Sequence, residues 1–223
     1  MTMIKDLVNW YLKYFTKCNC KLFLSAFNNP AYEKALVLLV GNSKLKRDCH
    51  PYYLWRFRKN WPYRDKLLKR IRTSAIWNGP FTHLTNFEDL YADVWNKLNN
   101  PRIPYISQLV IYDIARYLAC IEGSGCLMPK DFVYIHALPL KALYVMKNNG
   151  FLSNLKITNG KISVSDLSPY FHSLSAEEIE DLFCQLGKSL RRVGKGKTSA
   201  KPEERAIDAI VSKHIKNFKP IIP

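Results

Sequence analysis

The sequence predicts a mainly helical protein with a small β-hairpin in its C-terminal third. Three observations carry that prediction. Apolar residues recur at helical spacing in stretch after stretch, and Pro-, Gly- and Asn-bearing breaks separate the stretches. A single segment alternates apolar and polar residues around an Asn-Gly pair. Of the 223 residues 48% are apolar and 13% aromatic, enough for a sizeable core and too many for a disordered chain.

The elements follow in order. Residues 4–16 place Ile4, Leu7, Val8, Tyr11, Leu12 and Phe15 at helical spacing. Asn28-Asn29-Pro30 breaks the chain, and a second helix is expected from Ala31 to Val40, with Pro30 near its first turn. After Gly41-Asn42-Ser43 comes a basic region ending in a cationic helix over 62–76. Thr85 or Asn86 caps the next helix, whose first turn holds Glu88 and Asp89. Its buried face is expected at Phe87, Leu90, Tyr91, Val94, Trp95 and Leu98, and Asn99-Asn100-Pro101 ends it. A further helix is predicted over 109–121, and Pro129 leads into another over 132–148. Residues 155–164 read as a hairpin around Asn159-Gly160. Ser175 and Glu178 form a capping box that opens a helix to about residue 190. Residues 191–202, rich in Gly, Lys, Arg and Ser, read as a mobile linker, and a last helix over 203–217 carries Ile207, Ile210, Val211 and Ile215 on one face. This divides the chain into a helical core at 1–150, a hairpin and helix extension at 151–190, and a basic linker with terminal helix at 191–223.

Charge is concentrated in two segments. Residues 44–72 hold eleven Lys/Arg against two acids, and residues 188–223 hold ten against three. Their nets, +9 and +7, account for the whole +16. Charge clustered this way attracts a polyanion, whereas the same charge evenly spread mainly aids solubility. The first segment is interleaved with Tyr52, Tyr53, Trp55, Phe57, Trp61, Tyr63 and Trp77, which either stack on unpaired bases or pack into the core. Arg56, Arg58, Lys59, Arg64, Lys66, Lys69, Arg70 and Arg72 are the expected phosphate contacts there, and Arg191, Arg192, Lys195 and Lys197 those of a flexible clamp.

Other classes are disfavoured. No run of eighteen apolar residues suggests a membrane span, and Lys5, Asp6 and Lys13 interrupt the N-terminal apolar pattern, so a cytoplasmic protein, nucleoid-associated in a bacterium, is expected. No phosphate-cradling glycine loop or nucleophile elbow is present, so no cofactor is expected. Cys18, Cys20, Cys49 and His50 bring metal-ligand types together, but the Cys-x-Cys spacing is tighter than structural zinc prefers. Reduced, buried thiols and no metal are expected. Glu177-Glu178 and Glu180-Asp181 fall at a helix start, where the helix dipole accounts for them without catalysis.

One stretch bears chemistry of its own. Ile103-Pro104-Tyr105-Ile106-Ser107, followed by a helix from Leu109, resembles the helix-hairpin-helix element of DNA glycosylases over roughly residues 85–145. The resemblance implies a helix-hairpin-helix core in which backbone amides at the second helix's start, near Tyr105 and Ser107, hold a DNA phosphate. Tyr105 and Ser107 stand where that family has glycines. Val133-Tyr134-Ile135-His136 matches its Val-Asp-x-His stretch with Tyr134 at the catalytic Asp position, and Lys97 lies near the family's Schiff-base lysine. Tyr112-Asp113-Ile114-Ala115 and Val133-Tyr134-Ile135-His136-Ala137 are also similar to stretches of uncharacterised bacterial proteins. An Asp113–His136 pair would orient a proton carrier or ligand, or simply lock packing.

The expected function is nucleic-acid binding, DNA above all, through the phosphate backbone at 44–72 and 188–219. Two alternatives stay open. One is a divergent glycosylase-like enzyme using Asp113, His136 or Lys97. The other is a protein-binding inhibitor or adaptor whose basic face docks a protein partner.

Overall fold

A computed structural model describes residues 2–15, 64–73, 83–100, 102, 108–122, 127–152 and 155–219. The protein is mainly helical with one small antiparallel sheet. Its helices are α1 (Thr2–Tyr14), α2 (Arg64–Thr73), α3 (Phe87–Asn99), α4 (Gln108–Glu122), α5 (Ala137–Asn148), α6 (Ala176–Val193) and α7 (Pro202–His214). Strand β1 is Phe132–Tyr134 and β2 is Lys161–Ser163. None of the described helices is long and apolar enough to cross a membrane. The helix expected over 31–40, the four residues weighed as zinc ligands and the turn 103–107 lie outside the described residues.

The chain forms two compact units, one of residues 1–17 with 130–223 and one of 18–129. This differs from the division drawn on composition, because α1 packs with the C-terminal elements. In the first unit, α1, α5, α7 and β1 pack on α6, which is buried on every face from Ala176 to Gly187. Its N-terminus is the expected capping box: the Ser175 hydroxyl accepts from the Glu178 N–H (3.2 Å) and the Glu178 carboxylate accepts from the Ser175 N–H (2.8 Å). The core joins Met3, Leu7, Ala142, Met146, Phe171, Ile179, Phe183 and Val211. In α1, Leu12 is exposed and Trp10 takes a buried place, its indole N–H donating to the Glu203 carbonyl at 2.8 Å.

Two expectations change here. Residues 132–134 form a strand, and α5 starts only at Ala137. The run Phe-Val-Tyr-Ile suits a half-buried pleat, and Pro139 falls in the first turn of α5, where its missing N–H costs nothing. The Asn159-Gly160 turn forms as expected, with φ of 51° and 72° and two 3.0 Å bonds between Thr158 and Lys161. Beyond that single bridge, β2 pairs with β1, in the register Phe132 to Ser163, Val133 to Ile162 and Tyr134 to Lys161. Val133 and Ile162 are buried, so the distant pairing covers apolar surface.

In the second unit, α3 and α4 pack together, with Phe87 meeting Tyr112 edge-on at 5.6 Å. Asn86 caps α3 by accepting from the Asp89 N–H at 2.9 Å. Phe87, Leu90, Val94 and Leu98 are buried as expected, whereas Tyr91 and Trp95 are half-buried and stack at 6.3 Å.

Candidate nucleic-acid interface

The end of α6 shows why some cations of the basic segment face solvent and others do not. α6 runs to Val193 and closes in a glycine cap: the Gly196 N–H donates to Val193 and the Lys197 N–H to Arg192, at 2.9 and 3.0 Å. Gly196 holds the left-handed φ of +65° that this cap requires. Residues 191–202, expected as a mobile linker, are therefore a helix end, a bonded turn and the entry to α7. The turn is tied down by the buried Asp208. Its carboxylate takes a two-pronged contact from Arg192 (3.1 and 2.8 Å), the Ser189 hydroxyl (2.6 Å) and the Ser199 N–H (3.1 Å). Burial alone would raise the Asp208 carboxyl, but the hydrogen bonds from Arg192, Ser189 and Ser199, with the Arg192 charge, hold it below the usual carboxylate range. Arg192 also reaches Glu204 at 3.2 Å.

Arg192 is thus a structural residue, contrary to its expected role on phosphates. Arg191, Lys195 and Lys197 are exposed and make no ion pair among the described residues. Lys216 and Lys219, in the segment after α7, are exposed in the same way. They were missed as individual contacts, although the charge excess of 188–223 held the signal.

Across this unit the two signs of charge are sorted by depth. Glu177, Glu178, Glu180, Asp181 and Asp208 are buried, five of the ten described carboxylates, while none of the seventeen described Lys and Arg is. Asp181 accepts from the Tyr11 hydroxyl (3.1 Å) and the Gln185 amide (3.2 Å). Burial first, then the nearby acids led by Asp181, push the Tyr11 phenol well above its usual range. Glu177 and Glu180 are engaged by interactions of their own. The sequence places these four acids at a helix start, where the helix dipole accounts for them. The fold encloses it.

No protein-family model, curated protein or solved structure matches this chain.

In the second unit, Lys66 and Lys69 are exposed on α2, and Arg70 donates to the Asn100 carbonyl at 2.7 Å, at the C-terminal end of α3. Arg70 thereby supports a helix end, where a cation is favourable. Arg64, Arg72 and Asp113 lie on helices, but their side chains are outside the described ones, as are Arg56, Arg58, Lys59, Tyr105 and Ser107 altogether. Lys97 forms an ion pair with Asp93 at 2.7 Å on the same helix. Arg116 on α4 is only 1% exposed, a buried cation with no signal in the sequence beyond its place in an apolar helix.

His136 is buried at the N-cap of α5 with its ring 6.3 Å from that of Tyr134. Burial pushes its imidazole down to about 4, so it is neutral at physiological pH. Tyr134, at the position matched to a catalytic Asp, is buried in β1.

Proposed function

We propose that this protein binds nucleic acid, DNA above all, by gripping the phosphate backbone through the basic segments 44–72 and 188–219. The sorting of charge by depth carries this reading. A phosphate approaching the first unit meets lysine and arginine at contact distance, while half of the carboxylates that would repel it stand behind the surface. Helices α3 and α4 flank residues 103–107, which supports a helix-hairpin-helix backbone contact as a further part of the grip. The catalytic alternative draws less support, since Lys97 is held by Asp93 and His136 is buried.

Fluorescence anisotropy with labelled duplex DNA, single-stranded DNA and RNA across a salt series tests the proposal. About five phosphate contacts on a duplex give a log–log salt slope near −4.5. An affinity that does not change with salt overturns it.

A further inference from the structure

The segment after α7 is held in place from two sides. Asn149, at the end of α5, donates through its amide to the Val145 and Asn217 carbonyls, each at 2.8 Å. Its side-chain oxygen accepts from the Lys216 and Asn217 N–H groups, each at 3.2 Å. Asn148 adds a bond to the Lys219 carbonyl at 3.3 Å. Phe218 then lies on Gly194, where a Cβ would stand 3.5 Å from the Phe218 side chain. Lys219 follows Phe218 and Lys195 follows Gly194. The contact therefore brings two cationic stretches, separated in sequence by α7, to one place.

We infer that the end of α6 and residues 215–219 form one composite surface, built from Arg191, Lys195, Lys197, Lys216 and Lys219, that takes the nucleic-acid phosphate backbone and not the bases. This rests on the nucleic-acid reading above. The five side chains are exposed and make no ion pair among the described residues. Two acids of α7 are engaged, Asp208 by Arg192 and Glu204 by Arg192, Ser199 and Lys201. Phe218, the aromatic of this surface, is half-buried and packed on the core, which leaves phosphate contact as the mode of binding. Asn149 is a positioning residue, since it aligns Lys216 and Lys219 without touching the ligand.

The test uses the full chain and labelled duplexes, one AT-rich and one GC-rich, over a salt series. In the Lys216→Ala/Lys219→Ala variant the log–log salt slope becomes shallower by about 1.8, two contacts at roughly 0.9 each, equally on both duplexes. Removing two charges beside the sheet, in Lys130→Ala/Lys156→Ala, leaves the slope as it was. Asn149→Ala alters no charge yet weakens binding in the same direction, and amide exchange at Lys216 and Asn217 quickens. The composite surface is overturned if wild-type protein binds but the Lys216/Lys219 variant keeps its slope. An equal fall in the Lys130/Lys156 variant, or a loss confined to one duplex, also overturns it. Wild-type protein that binds neither duplex at low salt removes the duplex-DNA reading on which this surface rests.

Discussion

Gly187 lies against the main chain of Leu138, so that a Cβ on it would stand 2.8 Å from the Leu138 carbonyl oxygen. This close approach seats α5 on α6, the most extensive helix pair of the first unit, and explains a glycine in a helix interior.

Gly187→Ala gains about 1 kcal/mol in helix propensity but forces the two helices apart, an overpacking cost of about 1–3 kcal/mol. The expected net is a loss of stability, seen as a lower urea midpoint with an unchanged slope. A raised midpoint would show that the two helices yield freely.

Gly196→Ala separates an ordered turn from a flexible one. Open space surrounds the position, so alanine clashes with nothing, but φ of +65° strains any side-chain-bearing residue. A loss of about 1 kcal/mol is expected in thermal or chemical melts. A neutral effect would mean that the turn has no fixed conformation.

Asp208→Asn removes the negative charge and one of the two acceptor oxygens that Arg192 holds. Because Arg192 keeps 23% of its side chain in solvent, the cost is discounted to roughly 2 kcal/mol. The pH sign follows from a lowered folded pKa. The contribution of Asp208 is complete above about pH 3.9 and is lost as pH falls through the lower folded value. The variant's stability therefore changes less than wild type's on acidification, and parallel acid limbs would contradict this.

His136 acts at higher pH. The unfolded imidazole binds its proton near pH 6.5, whereas the folded one resists until about 4. Stability is complete above the first value and falls as pH drops toward the second, by an amount on the order of 3 kcal/mol. Melts at intervals between these values follow the fall, and His136→Asn reduces it. An unchanged profile in the variant would assign the fall to other groups.

Cys184 is fully buried, and burial pushes its thiol up to about 12. Alkylation mapped by mass spectrometry should spare it in the native protein and reach it on unfolding. Rapid native labelling would show that α6 opens locally.

The local elements were legible because their determinants lie within a few residues of one another. Ser175 with Glu178, Asn86 before α3, and Asn159-Gly160 each satisfy backbone groups in their own turn. The candidate surface was legible only as an excess of charge. Arg191 and Arg192 are adjacent in sequence, yet one faces solvent and the other binds Asp208, because successive helix positions point about 100° apart and only the packing of α7 selects between them.

By itself, the sequence determined a helical chain with two concentrated basic segments, since periodicity, capping and charge are properties of short stretches. The tertiary structure decided which charges reach solvent. It enclosed the acids of α6, paired β2 with distant β1, and brought Lys219 beside the turn after α6 through Asn149 and Phe218. Those outcomes depend on which surfaces meet when apolar area is removed from water, and that is settled by the whole packed chain.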